Sequence, residues 1–420
     1  MYLTSEEEKM LSGEYGGLVQ ESMKLLVKIG EAHGAERMIN IKYANTGIGV
    51  AFMMMPNGRQ LVEEAVKKGF KTKVPATLGQ DLVDYENWEL MKISKEFVTN
   101  CRWIMEMSKK MGMIPALSCA PYEIAGMDWY PLGSSISSVE SSAVAYFNSV
   151  MGARTNRDFA ASFFAAVTGK YPEFGYHLDE NRRGTHLFET KVELKDKTDY
   201  SALGYYAGKI VGLDVPVFEG IKTPKTDDLK LLTASAAVGG AVTLCHVVGV
   251  TPEARTSNMA FGNDAPKEKI TVTTREIKAT YEELSTDTEG NVDFVWLGCP
   301  HASIYEIQKI AWLLKGKKIH KDVTLWITTS PFTKSLAESM GYVNEIRHAG
   351  GVIICGTCPI LSGGCPGPTY AYAHPEYSIG NCAVDSAKAA YYVKPLLNAS
   401  KVFFGSMERC IDAAITSKWE

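Results

Sequence analysis

The 420-residue chain is predicted to be an α/β protein made of several three-layer domains with mainly parallel sheets. Short runs rich in Val, Ile and Leu alternate with amphipathic stretches of about 10 to 15 residues, which is typical of parallel strands joined by helices. Domains usually contain about 100 to 200 residues, so this length indicates two or three of them. A hydrophobic content of 45% and a charged content of 22% are those of a globular protein with a sizeable core.

The charge balance argues against large anionic partners. The chain has 44 Lys and Arg against 48 Asp and Glu, a net charge of −4. This gives no basic field, so we expect neither nucleic acid nor a membrane as a partner. The N-terminal sequence MYLTSEEEKMLSGEYG is acidic where a signal peptide would be basic, which predicts a cytoplasmic location. The apolar segment 234–250 is interrupted by glycines and His246 and is too short to span a bilayer, so we expect it in the core.

Hydrophobic periodicity predicts repeated strand and helix units in the first and last parts of the chain. The predicted elements of the first part are strands at 38–42, 70–75 and 113–117 and helices at 58–68 and 91–111. Those of the last part are strands at 292–297, 323–328 and 352–355 and helices at 304–314 and 333–340. Both parts therefore read as α/β regions.

The middle of the chain has a different character. Residues 176–228 mix charged turns with short β-like pieces such as 190–194, and the polar stretch 267–289 suggests an exposed β-ribbon or a connector. We therefore expect a first α/β region at 1–175, a middle or inserted α+β region at 176–290, and a last α/β region at 291–420.

Three of the nine cysteines have a common setting. Cys119, Cys299 and Cys358 each follow the carboxyl end of an apolar strand and have a proline within two residues downstream. Ligands of open α/β sheets bind beyond these strand ends, so loops distant in sequence can meet there. The pattern suggests a three-thiolate metal or cluster site, with three buried structural cysteines as the alternative.

The other cysteine arrangements point elsewhere. No secretory signal is evident and the number of cysteines is odd, so a disulfide framework is not expected. A zinc ribbon would need paired Cys-x2-Cys ligands, and this spacing occurs at Cys355 and Cys358 alone. We expect Cys355 to be a buried core residue, with a thiol redox pair as the alternative.

A helix with a polar N-terminus is predicted at the sequence VESSAV, residues 139–144. Ser141 or Ser142 would cap it, and the N-terminus would attract an anionic substrate group while Glu140 moves a proton. A simple helix cap is the alternative. Lys388, at a predicted helix start, could hold a carboxylate or phosphate, or could be an ordinary surface lysine.

Two further features are weaker. The sequence GIGVA at residues 47–51 follows a predicted strand and could form a backbone cradle for an anion, but a lone glycine pair is weak evidence. His246 and His301 could be bases or ligands, although single histidines in apolar segments are more often satisfied core residues.

Several long motifs together resemble the aconitase X family. They are MYLTSEEEKMLSGEYG, ESSAVAYFNSVMGARTNRD, GYHLDENRRGTH, GVTPEA, WLGCPHAS, GTCP and VDSAKAAYY. The resemblance implies an aconitase-like fold with α/β domains around a central cluster, and a hydro-lyase that removes water from a small hydroxylated acid. One branch of the family acts on cis-3-hydroxy-L-proline and another on mevalonate 5-phosphate. It also implies that this chain is the large subunit of a heterodimer, with the swivelling fourth domain on a separate small subunit.

The resemblance also implies the site residues. Cys119, Cys299 and Cys358 would hold an iron-sulfur cluster, [4Fe–4S] or [3Fe–4S] with [2Fe–2S] as a further option, that acts as a Lewis acid on the departing hydroxyl. The residues implied in substrate binding are Gly49, Val50, Glu140, Ser141 and Lys388. Catalysis would involve Glu140 and Ser141, with the base either Glu140 or a serine on the small subunit.

The chain departs from the family pattern in the substrate region. Ala51 stands where a serine is expected, and Gly79-Gln80 stands where relatives carry asparagine, often followed by proline. Lost polar groups alter substrate discrimination, so the substrate could be cis-3-hydroxy-L-proline, mevalonate 5-phosphate or a related hydroxy acid. The alternative function is a non-catalytic or zinc-binding subunit of the same fold that binds a small anionic ligand.

Overall fold

The chain folds into three α/β regions, each built on a mainly parallel sheet. The computed structural model describes residues 1–47, 53, 55–124, 126, 131–157, 161–361 and 378–420. Among these residues, no helix is long and apolar enough to cross a membrane. The predicted α/β class is confirmed by the alternation of parallel strands and helices in all three regions.

The first region carries a four-stranded parallel sheet in the order β4-β3-β2-β5 and a separate antiparallel pair, β1 and β6. Its helices are α1 (Ser5–Ser12), α2 (Gly17–Ala32), α3 (Pro56–Lys67), α4 (Lys95–Lys110), α5 (Ser141–Ser149) and α6 (Ala161–Thr168). Its strands are β1 (Met38–Asn40), β2 (Ala44–Asn45), β3 (Ala76–Leu78), β4 (Ile114–Pro115), β5 (Ser137–Ser138) and β6 (Lys170–Pro172). The predicted strand at 70–75 is wrong, because Thr72 and Lys73 donate to the carbonyls of Met111 and Ala166 at the ends of helices α4 and α6 instead of joining a ladder.

The second region carries a parallel sheet in the order β10-β7-β8-β9. Its strands are β7 (His186–Thr190), β8 (Pro216–Glu219), β9 (His246–Val247) and β10 (Glu268–Val272), and its helices are α7 (Lys197–Val211), α8 (Thr226–Gly240), α9 (Ser257–Phe261) and α10 (Thr274–Leu284). The predicted β-ribbon or connector at 267–289 is wrong: the stretch forms β10 and α10. Its polarity arises because β10 is an edge strand and α10 starts at a Thr273–Glu276 capping box.

The third region carries a five-stranded parallel sheet in the order β14-β13-β12-β15-β16. Its strands are β11 (Gly290–Asn291), β12 (Phe294–Leu297), β13 (Thr324–Thr329), β14 (Val352–Cys355), β15 (Asn381–Val384), β16 (Lys401–Phe404) and β17 (Lys418–Trp419). Its helices are α11 (Ile304–Leu314), α12 (Pro331–Ser339), α13 (Tyr342–Ala349), α14 (Ala387–Leu397) and α15 (Met407–Thr416). Alternate residues of β12 enter two different cores, so both faces of this sheet are covered.

Helices α7 and α8 bring the second region against the third. A Cβ atom on Gly204 would lie 2.1 Å from the Leu232 carbonyl oxygen, so the two backbones touch where only glycine fits. The apolar side chains of α7 and α8 share one core with Phe294 and Trp296 of β12. Segment 234–250 is the end of α8 followed by β9, and most of it is buried as expected. This packing carries the start of α8 toward the carboxyl ends of the third sheet.

Candidate active site

The carboxyl ends of the first and third sheets face each other, and the described residues of the predicted site lie at or after these strand ends. The His301 backbone N–H donates to Cys119 Sγ at 3.2 Å, and Lys388 Nζ donates to Glu140 Oε1 at 2.7 Å. The Asp81 backbone N–H donates to the Gly356 carbonyl at 2.9 Å. These contacts join the two regions, so loops that are distant in sequence meet at one edge.

The three cysteines of the predicted trio share one buried space. Burial raises the pKa of Cys119 and Cys299 far above the usual thiol value, and it raises the pKa of Cys358 to about 11. The Cys299 thiol lies close enough to Cys119 and Cys358 for both to raise its pKa further. The Lys388 ammonium acts in the opposite direction on all three thiols. The trio is therefore electrostatically coupled around a cation.

The three thiols are donors of the type that iron-sulfur clusters use. Within the described ranges, no three His, Cys, Asp or Glu side chains form a group that could hold one ion. Ligands of one zinc ion all bind the same centre at about 2.3 Å, whereas the thiolates of an iron-sulfur cluster bind different irons. The three thiols interact with one another and come from three different loops, as ligands of one cluster would. The residues present thus fit the cluster that the resemblance implies.

The loop that carries Cys358 is held by a buried carboxylate that the sequence did not reveal. Asp84 is 1% exposed and accepts the Cys355 backbone N–H at 2.8 Å and the Asn87 side-chain amide at 2.7 Å. Cys355 itself is only partly buried, not fully as predicted, because it sits where this loop leaves the sheet. Burial raises its pKa to about 12, which does not favour the thiol redox pair with Cys358, since such pairs need a lowered pKa.

Glu140 is the N-cap of α5, so the prediction of a serine cap is wrong. Its Oε1 accepts the Ser142 hydroxyl at 2.7 Å and the Ser142 backbone N–H at 3.4 Å, because the extended backbone at residue 140 turns the longer side chain back over the helix start. Burial alone would raise the pKa of Glu140. Lys388 and Ser142 together outweigh burial and lower it. The carboxylate is therefore ionised at neutral pH.

Lys388 lies in the first turn of α14 and is 7% exposed, so it is not an ordinary surface lysine. Its Nζ lies 2.7 Å from Glu140 Oε1, 3.1 Å from the Ser142 hydroxyl and 3.4 Å from the Ser141 hydroxyl. Burial alone would lower its pKa, but Glu140 and Cys299 raise it. A cation is unfavourable at a helix N-terminus, so this position conflicts with local preference in the way that functional residues often do.

The remaining predicted substrate residues divide into two groups. Gly49, Val50 and Ala51 lie outside the described residues. A Cβ atom on Gly79 would lie 2.7 Å from the Gly47 Cα, so this position has no room for the asparagine of the family pattern. The Gln80 amide lies 3.4 Å from His301 Nε2.

The two histidines singled out by the sequence are buried and neutral. His301 Nε2 bonds the Thr357 carbonyl at 3.0 Å, and burial lowers the His301 pKa to about 4. His246 Nε2 bonds the Arg182 carbonyl at 2.8 Å, and burial lowers its pKa as well. Each ring is buried and bonds a backbone carbonyl, so both match the interpretation as core residues.

A buried network of charges behind the cysteine loops was missed by the sequence reading. It contains Lys197, Lys230, Glu123, Asp227, Glu306 and Asp385. Lys230 is fully buried on α8, within the apolar run LKLLTASAA. A lone lysine in such a run is the one local signal of a buried charge, since lysine is almost never fully buried unless it is paired.

Comparison with known families agrees with the motifs. Three family models match in order: the aconitase X first domain at residues 1–180, the second domain at 184–282 and the third domain at 292–416. The chain belongs to the aconitase X family. It is also similar to the crystal structure of Thermococcus kodakaraensis aconitase X in its holo-form, with a TM-score of 0.81 and 36% identity over 99% of this chain and 100% of that chain.

Named relatives of this aconitase X chain are dehydratases. The phosphomevalonate dehydratase large subunit of Methanocaldococcus jannaschii is 39% identical over 98% of this chain and 99% of that protein. The cis-3-hydroxy-L-proline dehydratase of Hypocrea jecorina is 31% identical over 98% of this chain and 68% of that protein. The predictions of the family, of the aconitase-like α/β fold and of a hydro-lyase large subunit are thereby confirmed.

Proposed function

We propose that this chain removes water from a small hydroxylated carboxylic acid with the help of an iron-sulfur cluster bound by Cys119, Cys299 and Cys358. The observation that carries the proposal is the meeting of these three thiols with Lys388 and Glu140 at the facing edges of two sheets. The names of the relatives give the reaction class, and the shared environment of the thiols supports the ligand set.

The cluster would supply a Lewis acid. When it is bound, an iron without a protein ligand can polarise the departing hydroxyl of the substrate. The nuclearity, [4Fe–4S], [3Fe–4S] or [2Fe–2S], is a question for spectroscopy. Lys388 lies within electrostatic reach of each thiol, so its positive charge would help to offset the charge of three thiolates.

Lys388 and Ser141 are proposed to bind the anionic group of the substrate. The ammonium has one carboxylate partner and two hydroxyl neighbours, and hydroxyls can rotate to accept from it or donate to a ligand. The N-terminus of α5 adds the partial positive charge of a helix dipole beside it. Gly49, Val50, Ala51, Gly79 and Gln80 complete the proposed substrate region.

Glu140 is the proposed base within this chain. Dehydration takes a proton from the carbon next to the one that bears the hydroxyl. The C–O bond then breaks, and the hydroxyl leaves as water once it has gained a proton. An ionised Glu140 can accept the first proton. The rival base is a serine of the small subunit, which the resemblance implies.

The substrate is proposed from the relatives. Mevalonate 5-phosphate is the first candidate, because the relative named for it aligns over 99% of its own length at 39% identity. cis-3-Hydroxy-L-proline is the second candidate. The absence of a side chain at Gly79 removes a polar group from the pocket, which keeps a related hydroxy acid as a third. The name "large subunit" supports a small subunit as the partner in a heterodimer.

The decisive experiment is anaerobic co-expression with the small subunit, followed by a screen of hydroxy acids. Loss of one water by mass spectrometry, with iron and sulfide bound, would support the proposal. The matched control is C358A, which should lose both cluster and turnover. A complex that is colourless after reconstitution and converts none of the acids would contradict it and would favour a non-catalytic subunit.

A further inference from the structure

One fully buried ammonium connects the loops that carry two of the three proposed cluster ligands. Lys230 lies on α8 of the second region and its side chain is 0% exposed. Its Nζ lies 2.8 Å from Glu123 Oε1, 2.5 Å from Glu306 Oε2 and 3.1 Å from the His301 carbonyl oxygen. Asp227 Oδ1 lies 3.0 Å away on the same helix. An ammonium has three N–H donors, so these acceptors saturate it.

The partners of Lys230 come from the loops on both sides of the proposed cluster. Glu123 ends the short helical turn Pro121–Glu123, which directly follows the loop of Cys119 in the first region. The His301 carbonyl follows Cys299 by two residues in the third region. Lys230 itself belongs to the second region. One cation therefore joins all three regions at the back of the thiol site.

The same loops are also joined to each other. The His301 backbone N–H donates to Cys119 Sγ at 3.2 Å, while the carbonyl of the same residue accepts from Lys230. Glu306 extends the connection, because its second oxygen pairs with Lys197, which lies 2.6 Å from Asp385 Oδ2. Asp385 precedes the substrate residue Lys388 by three positions. The chain of charges thus runs from the Cys119 loop to the start of α14.

We infer that Lys230 is a positioning residue for the cluster. Its ammonium fixes the Cys119 loop relative to the Cys299 loop, so that thiols from two different regions can bind one cluster. This inference rests on the proposed function, because it needs these cysteines to be ligands. The Lys230 ammonium is bonded to Glu123 after the Cys119 loop, to the His301 carbonyl after Cys299, and to Glu306. The two loops therefore have little freedom to move relative to each other. Residues that orient metal ligands in this way commonly set how tightly the metal is held.

The test compares how firmly iron is held in a set of variants of the full chain with its small subunit. E123A removes the link to the Cys119 loop while Lys230 keeps Glu306 and Asp227. E123Q restores an acceptor oxygen without the charge. K230M removes the whole connection. We expect iron release to a chelator to be about 10- to 100-fold faster in E123A than in wild type, with E123Q in between. Visible absorption and electron paramagnetic resonance should change in parallel.

K170M is the matched control. Lys170 is a buried lysine of the first region that pairs with Glu7 Oε1 at 3.1 Å, so its loss also breaks a buried ion pair. It should lower thermal stability without faster iron release. If Lys230 only stabilised the fold, the rate of iron release would rise with the loss of thermal stability in every variant, K170M included. This result would overturn the inference.

The outcomes separate the two proposals. A wild-type complex that takes up no iron overturns the proposed function and this inference with it. A wild type that holds iron, together with a folded E123A that releases it at the same rate, overturns the inference alone. Faster release from E123A, partial rescue in E123Q and unchanged release from K170M support it, even where K230M does not fold.

Discussion

Two buried lysines on opposite sides of the cysteine loops have different roles. Lys230 is fully buried, and carboxylates and a backbone carbonyl surround its ammonium. Lys388 keeps 9% of its side chain exposed and contacts one carboxylate and two serine hydroxyls. The first has no donor left for a ligand. Two of the three partners of Lys388 are serine hydroxyls, which can rotate and bind an ammonium more weakly than carboxylates do. A substrate anion can therefore replace them.

Saturation of hydrogen bonds, and not burial alone, therefore separates a structural charge from a functional one. Both ammonium groups are taken out of water and both are kept charged by nearby carboxylates, Asp227 foremost for Lys230 and Glu140 for Lys388. A saturated group resists any rearrangement, because each lost contact would leave a buried charge unpaired. An unsaturated group can exchange partners at little cost. The variants below test this distinction.

The largest expected effect is on the stability of K230M. Removing this ammonium leaves Glu306, Asp227 and Glu123 buried around an apolar side chain, so the free energy of unfolding should fall by about 3 to 5 kcal/mol. Urea unfolding followed by circular dichroism measures it. K388M is the comparison, and it should lose clearly less because Glu140 is partly exposed. Equal losses in the two variants would show that the structural distinction between the lysines is wrong.

The second effect is on catalysis by K388M. Loss of one preorganised donor commonly lowers kcat by about 100- to 1,000-fold, and we expect a loss in this range when turnover is expressed per bound iron. Steady-state kinetics and iron analysis of the reconstituted complex test this. K388R, which keeps the charge, should recover part of the activity. Normal turnover by K388M would remove Lys388 from the proposed site.

The third effect is a difference in pH dependence. Burial, Asp227 and Glu306 raise the pKa of Glu123 to about 7, so its favourable contribution is complete below its unfolded pKa of about 4.3 and is lost as the pH rises to about 7. The pKa of Glu140 is lowered, so its contribution is present above about 4.3 and is lost only in acid. Between pH 5 and 8, the contribution of Glu123 to stability should therefore fall, that of Glu140 should not change, and that of the buried His301 should rise because its pKa is lowered to about 4.

Urea unfolding across this pH range, with E123Q and E140Q as the two variants, measures the contrast. The difference in stability between wild type and E123Q should shrink as the pH rises across this range, whereas the difference between wild type and E140Q should stay constant. A constant difference between wild type and E123Q would show that Glu123 does not titrate there.

The smallest effect is expected for C355A. Cys355 is half-buried and makes its main contact with Asp84 through its backbone, so the substitution should cost about 1 kcal/mol or less and leave iron binding and turnover intact. Thermal unfolding and activity measurements check this. Loss of turnover in C355A would revive the thiol redox pair with Cys358.

Prediction from the sequence was most accurate where the hydrophobic periodicity of a segment matches the burial of its residues in the structure. The helix Ile304–Leu314 and the strand Val352–Cys355 have the predicted bounds. The strand is visible in the sequence because a strand that is covered on both faces forms a continuous apolar run. The stretch 267–289 was wrongly predicted as a β-ribbon or connector. Its edge strand and its helix both carry polar residues where they are exposed to water, so polarity alone did not distinguish them.

For the site residues too, local patterns could be predicted from the sequence and contacts between distant residues could not. The setting of Cys119, Cys299 and Cys358 at strand ends is local, so it is visible in the sequence. Contacts such as Lys230 with Glu123 depend on how three regions pack, and residues 107 positions apart carry no local signature of their meeting. The serine cap was predicted in place of Glu140 because cap preferences favour short side chains, whereas here a lysine from another region also holds the glutamate.

The most direct test of the central claim is a crystal structure of the anaerobically reconstituted complex with anomalous diffraction recorded at the iron edge. We expect one cluster of anomalous peaks within bonding distance of the sulfur atoms of Cys119, Cys299 and Cys358. These peaks should lie next to the Lys388–Glu140 pair. Iron bound elsewhere, or a single ion held by only some of these cysteines, would contradict it.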